Sequence, residues 1–346
     1  MNVAFYSYPS AFQNPGGGEV QLLKTKQAIE KLGVTVRLFD QWNDKLQDFD
    51  VIHIFGSVKD CVGLMQTAKN LKVKIAISSI FWSSFKRALH ESKNPKKRLE
   101  FMARHAAKVL LPVFPSARRK TMMLADIVLP NSLAEARQLR RLFALPQEKI
   151  SVVPNGVDER FSEASAESFK KKFKLENFIL AVGRIEPRKN QLNLIKALRH
   201  LKQDLVIVGD PVSDYADYYR VCKKEAGANV HFLGAIDHEG ELLASAYAAC
   251  AVFVAPGWFE TPGLAALEAG LAGAKLAVTA CGCTREYFLS HAEYFDPARV
   301  SDIANAITQA LKKPSSTTLK DHIMQHYTWD KVGQRTLEAY QRIIHA

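Results

Sequence analysis

The 346-residue chain is 47% apolar and 24% charged, a globular balance that excludes disordered, collagen-like and low-complexity classes. Its length suggests two domains more readily than one. Lys and Arg number 47 against 35 Asp and Glu, a net +12, and that excess calls for an anionic partner.

In chain order, strands are predicted over 2–7, 34–39, 51–55, 73–78, 126–129 and 150–153, then over 178–182, 205–208, 229–233, 251–255 and 275–279. These runs are rich in Val, Ile and Phe and mostly do not alternate, as parallel strands covered on both faces require. Helical patterns lie between them, among them 19–32, 132–143, 190–201 and 262–272. Repeated strand–helix units predict doubly wound α/β sheets, and two batches of strands predict two of them. The turn-forming Pro154-Asn155-Gly156 marks the boundary. A last amphipathic helix is predicted over 328–345, with Thr328 as its cap and no docking site fixed by the sequence. The expected domains are therefore 1–157, completed by the terminal segment 328–346, and 158–327.

The opening MNVAFYSYPS has no basic n-region or long apolar h-region and reads as a strand, not an export signal. No window of about 18 uncharged apolar residues is present to span a membrane. Cys61, Cys222, Cys250, Cys281 and Cys283 are odd in number and form no C-x-x-C pair, so they read as reduced cytosolic thiols.

The charge is one-sided. Residues 1–157 hold 24 basic and 12 acidic side chains, and 158–346 hold 23 of each. Residues 86–120 alone carry 11 basic side chains against Glu91 and Glu100, interleaved with Phe81, Trp82, Phe85, Leu89, Phe101, Met102, Leu110, Leu111 and Phe114. That mixture suits an interfacial contact with an anionic leaflet. No helix-turn-helix, zinc-finger, RNP or KH pattern accompanies it, so nucleic acid is not the expected partner.

Three clusters sit where ligands bind in such sheets, at the carboxyl ends of strands. Gly16-Gly17-Gly18-Glu19 opens the first helix, where glycine lets backbone amides approach an anion. It is not G-x-G-x-x-G, and no acidic residue follows the second strand, as a dinucleotide site would want. Gly183-Arg184-Ile185-Glu186-Pro187-Arg188-Lys189 offers two cations, Arg184 and Lys189, to a diphosphate. In Glu260-Thr261-Pro262-Gly263-Leu264, Thr261 reads as an N-cap and Pro262 as the first helical residue. The Gly263 and Leu264 amides would then face phosphate oxygens. Glu268 follows among apolar neighbours, where a carboxylate needs a partner. Each cluster alone is also readable as a turn, a solvated basic loop or a capping acid.

Taken together and in this order, these motifs resemble the retaining glycosyltransferases of family 4. The E-x7-E element is Glu260 to Glu268, the Gly-Arg-(x)4-Lys element is Gly183, Arg184 and Lys189, the glycine loop is 16–18, and the P-N-G-V-D segment is Pro154 to Asp158. The resemblance implies the GT-B fold: α/β, two Rossmann-like doubly wound parallel-sheet domains with an interdomain cleft. It implies a metal-independent hexosyltransferase without cofactor, moving sugar from a UDP- or GDP-linked donor to a lipid-linked or saccharide acceptor, as in polysaccharide or lipopolysaccharide synthesis. Arg184 and Lys189 would hold the diphosphate, Glu268 the ribose hydroxyls and Glu260 the donor sugar. Gly263 and Leu264 would give amides to phosphate, and Gly17 and Gly18 would close over the donor. The expected location is the cytoplasm, with the inner face of the cytoplasmic membrane as the surface touched. An epimerase on the same fold and a non-catalytic nucleotide-sugar binding protein are the alternatives.

One departure stands out. The family often carries a histidine at the end of the fourth strand, and Ile75–Trp82 has none. Ser79 and Trp82 are the residues placed to line that spot, and His53 reads more readily as structural. Arg285 and Glu286 follow strand 275–279, either as donor contacts or as an ion pair. Asp48-Phe49-Asp50 reads as a turn, not a metal-binding D-x-D.

Overall fold

The computed structural model describes residues 1–13, 16–56, 60–83, 95–261, 263–314 and 316–345. Two compact units divide the chain. One gathers the described residues of Met1–Phe85, Leu99–Gly156 and Tyr327–Ala346, and the other gathers those of Lys86–Arg98 and Val157–His326.

In the first unit, β1 (Asn2–Tyr6), β2 (Thr35–Leu38), β3 (Val51–Phe55), β4 (Lys74–Ser78) and β5 (Ile127–Leu129) form a sheet in the order β2-β1-β3-β4-β5, with every pair parallel. β3 lies at the centre and all five of its residues are buried. Each buried Val or Ile there contributes roughly 1.5–3 kcal/mol of apolar transfer. The predicted strand at 150–153 reduces to one bridge, Val128 to Ile150. Val153 N donates to Pro130 O, but Pro130 has no N–H to return, so the ladder stops.

The helix Gly17–Glu30 begins two residues earlier than predicted. Glu19 caps it, accepting from Gly16 N at 2.8 Å and from the Tyr8 hydroxyl at 2.6 Å. The terminal helix Trp329–Ile344 belongs to this unit. Thr328 stands at its N-cap without a side-chain capping bond. Glycine permits its close seating: a Cβ on Gly333 would meet the Ala28 backbone at 3.0 Å, and one on Gly156 would meet Trp329 N at 2.7 Å. Lys31 and Asp330 pair at 2.9 Å across the same contact.

His53 on β3 explains how that helix is held. Its Nδ1 meets the Tyr340 hydroxyl at 2.6 Å and its Nε2 meets Ser78 Oγ at 2.9 Å. Burial pushes its pKa down to about 3. A neutral ring fits this place, and His53 is a structural residue.

In the second unit, β6 (Ile179–Val182), β7 (Leu205–Val208), β8 (Val230–Gly234), β9 (Val252–Ala255), β10 (Lys275–Thr279) and β11 (Ala292–Phe295) follow the order β11-β10-β9-β6-β7-β8. All pairs are parallel. β11 is absent from the predicted set: only four residues long, it carries Glu293 and buries only its two end residues. The order reverses between β6 and β9, and their carboxyl ends frame the place where ligands bind in such sheets. All five cysteines are thiols outside any disulfide, and Cys281 alone is not buried.

Candidate active site

The loop after β6 turns sharply because Gly183 and Gly209 adopt φ of 141° and 135°. A Cβ on Gly209 would stand 2.2 Å from Gly183 O, so two backbones touch here. The 3-10 turn Pro187–Lys189 then aims Lys189 across to the loop after β9. Its Nζ lies 2.7 Å from Glu260 Oε1. Burial pulls the ammonium below the ordinary lysine range, and the Glu260 carboxylate opposes it. Arg184 is half-exposed and lies 3.9 Å from Glu186, which also pairs with Arg188 at 3.1 Å. Asn190, at φ 55°, donates to the carbonyls of Pro256 and Pro297 at 3.0 and 2.9 Å. It thereby stitches the loops after β6, β9 and β11.

Glu260 is 5% exposed. Its N–H donates to Cys281 O and its carbonyl accepts from Cys283 N at 3.1 Å. Gly282, at φ 105°, makes this possible, since a Cβ there would stand 2.0 Å from Glu260 O. Lys189, Glu260, Gly263 and Leu264 line a cavity of about 50 Å³, with Gln191, Ala265 and the ends of β6 and β9 around it.

The helix that follows corrects the sequence reading. Gly263, at φ 90° and ψ 78°, is its N-cap, and the helix runs Leu264–Leu271. Thr261 does not cap it, and Pro262 lies outside the described residues. A left-handed cap favours glycine, which displaces the start by two residues. The first intrahelical bond runs from Ala266 N to Gly263 O at 2.9 Å. The helix tip therefore presents the amides of Leu264 and Ala265, with Gly263 as the turn before them.

Glu268 faces elsewhere. It is 6% exposed, accepts from the Tyr247 hydroxyl at 2.7 Å through Oε2, and meets His238 Nε2 at 2.8 Å through Oε1. The two carboxylates of the E-x7-E element thus share no partner: one lies with Lys189, the other with a histidine and a tyrosine.

In the first unit, a Cβ on Gly18 would meet only Ile80 Cδ1, at 3.7 Å. Neither crowding nor a positive φ requires glycine at that position. Ile80 itself takes φ 41°, a costly conformation for a β-branched residue. Glu135, fully buried, holds it there by accepting from Ser79 Oγ, Phe81 N at 2.7 Å and Asn131 N at 2.9 Å. Ser79 is therefore spent on Glu135. Further along the segment after this strand, His105 Nδ1 lies 2.8 Å from Ser83 Oγ. Arg285 lies over the Tyr294 ring at 4.3 Å.

Comparisons with known proteins accord with this arrangement. The family profile described as "Glycosyl transferases group 1" matches 164–327, and that of "Glycosyltransferase Family 4" matches 37–161. The chain belongs to the family 4 glycosyltransferases. An uncharacterized glycosyltransferase of Methanocaldococcus jannaschii is 26% identical over 236 residues, 62% of this chain. The aligned part spans 59% of that relative's length. Among solved structures, sucrose-phosphate synthase from Thermosynechococcus elongatus aligns with TM-score 0.76 at 20% identity, covering 100% of this chain and 99% of that one. Anabaena HepE in complex with UDP aligns with TM-score 0.74 at 18% identity, covering 99% and 100%. Likeness at this identity establishes the fold, and with the two parallel sheets that fold is GT-B.

At this candidate site the sequence reading missed several residues. Gly282 sits just past β10, and the strand-end rule pointed at its neighbourhood. The Ser132-x-x-Glu135 pattern was legible as a helix start, but the reach of Glu135 to Ser79 was not. His238 lies in an Asp-His-Glu-Gly turn, and Tyr247 on an ordinary helix. Only the folded chain joins those two to Glu268.

Proposed function

We propose that the chain is a retaining hexosyltransferase, moving sugar from a nucleoside diphosphate donor to a lipid-linked or saccharide acceptor. The observation that carries this reading is the cavity where the second sheet reverses, with a half-buried lysine, a buried carboxylate and a helix tip on its walls. Lys189 and Arg184 supply positive charge for a leaving diphosphate, and the amides of Leu264 and Ala265 add fixed dipoles. This charge comes from the chain's own side chains and backbone, and no metal ion is invoked. Glu260, neutralised by Lys189, keeps acceptor lone pairs for donor-sugar hydroxyls, and Glu268 takes the ribose hydroxyls. Gly18 leaves room for a ligand where packing would admit a side chain.

A lipid-facing acceptor is supported by a corner of the first unit. Leu110, Leu111, Val113 and Phe114 are 77%, 56%, 62% and 62% exposed. Leu99 is also exposed, and eleven residues before Leu110 it shares the same face of the helix Pro95–Leu110. Lys120 in the next helix is exposed, and exposed Arg104 pairs with Glu100 at 2.6 Å. Exposed apolar side chains in a basic stretch of the sequence suit an anionic bilayer surface, and the basic residues of 84–94 lie outside the described part. Synthesis of a cell-surface polysaccharide or lipopolysaccharide at the inner face of the cytoplasmic membrane fits this combination.

The experiment is a panel of UDP-, GDP- and ADP-sugars scored by thermal unfolding and by transfer. A true donor at 100 times its Kd adds about 2.7 kcal/mol. Stabilisation by one nucleotide class, with retained anomeric configuration in the product, is the expected result. No stabilisation by any of them would remove the reading.

A further inference from the structure

We propose that His238 is a positioning residue for the nucleotide: as an imidazolium it bridges Glu239 and Glu268 and fixes the Glu268 carboxylate for the ribose diol. The proposal rests on the reading of Glu268 as a donor-binding residue.

Both ring nitrogens face carboxylates. Nε2 lies 2.8 Å from Glu268 Oε1, and Nδ1 lies 3.1 Å from Glu239 Oε1. A neutral imidazole has one N–H and would set a bare lone pair against one of these oxygens, whereas the imidazolium donates to both. In accord with this, the hydrogen bond to Glu268 raises the His238 pKa above its ordinary value of 6.5.

The loop that carries the ring is itself held. Arg160 donates to the carbonyls of His238 and Glu239, the latter at 2.8 Å, and the edge of Phe161 meets the ring at 5.9 Å. Asp158 lies 3.6 Å from Arg160, and Asp237 accepts from Glu239 N at 3.2 Å. From the helix Glu241–Ala249, Tyr247 grips the other oxygen of Glu268. Among the described residues, these contacts bring Glu239, Glu268, Arg160, Asp158, Asp237 and Tyr247 around the ring. Each Glu268 oxygen is thus held once from the protein side and keeps a lone pair for a ligand hydroxyl. The imidazolium also offsets the charge of Glu268, which would otherwise repel a diphosphate. Nucleotide binding and protonation of His238 therefore favour each other.

The test is calorimetry of the full chain with UDP, GDP and ADP between pH 6.5 and 8.5, in two buffers of different ionisation enthalpy. For whichever nucleotide binds, affinity should fall as pH rises, and binding should take up protons. His238→Ala should weaken binding about tenfold and abolish the proton uptake. His238→Gln, a neutral donor, should recover part of the affinity but none of the uptake. The ionisation of the nucleotide phosphate is common to all three proteins and subtracts out, and thermal unfolding without ligand verifies that each is folded. Unchanged affinity in both variants would overturn the proposal, and so would weakened affinity with unchanged proton uptake. Failure of all three nucleotides to bind the wild-type chain would instead overturn the donor reading beneath it.

Discussion

At the residue scale, Lys189 carries two loads. It pairs with Glu260 at 2.7 Å, and in the proposed function its remaining N–H groups serve the donor diphosphate. Lys189→Ala should lower kcat/KM by at least about tenfold, roughly 1.4 kcal/mol of transition-state stabilisation. Glu268→Ala should do the same through donor binding, which steady-state kinetics would record as a raised KM. Circular dichroism should show both variants folded, and full activity in both would contradict the assignment. The sequence singled these residues out because charged types at strand ends suit a diphosphate ligand. What it could not expose is their pairing. Nothing in Glu260-x7-Glu268 says that the first carboxylate faces a lysine 71 residues earlier while the second faces a histidine 30 residues earlier. Those partners are set by how loops cross the sheet edge.

At the element scale, the contrast between helix starts is instructive. Ser132 caps Leu133–Phe143 as its residue type predicts, accepting from Glu135 N at 3.0 Å. Thr261 has the same credentials and does not cap, because Gly263 takes a left-handed conformation after it. Local propensity was overruled there by the need to place Glu260 against Gly282. Likewise β11 was illegible because an edge strand needs only half its residues buried. The terminal helix offers a pH test of its anchorage. His53 has a folded pKa of about 3 against an ordinary value of 6.5. Between these values the unfolded chain binds a proton that the folded chain refuses, so stability is present above pH 6.5 and is lost as pH falls toward 3. The slope from this one group approaches roughly 1.4 kcal/mol per pH unit. His53→Gln should be less stable at pH 7.5 yet lose less on acidification to pH 5, as read by Tm. An equal acid slope in the two proteins would assign the sensitivity elsewhere.

At the scale of the whole molecule, charge and chemistry are divided between the units. The first holds the exposed apolar corner and most of the basic excess, and the second holds the cavity with its paired ions. The division of strands into two batches was plain in the sequence, because buried parallel strands write themselves as Val- and Ile-rich runs. The chain should bind vesicles containing anionic lipid and lose that binding between about 0.05 and 0.5 M salt, since exposed charges are screened over a Debye length of about 10 Å at 0.1 M. Equal, salt-independent binding to neutral and anionic vesicles would remove the electrostatic contribution. The apolar contribution is read separately from Phe114→Ser, which should weaken vesicle binding and leave nucleotide affinity unchanged.

The thiols have a practical consequence. Burial pushes Cys61 and Cys222 up to about 11 and Cys250 higher still, and Cys283 is also buried. A maleimide added to the native protein therefore meets Cys281 first. That residue's carbonyl accepts the backbone N–H of Glu260, so the unmodified chain carries its own attachment point for a fluorophore one backbone hydrogen bond away from a residue of the proposed donor site.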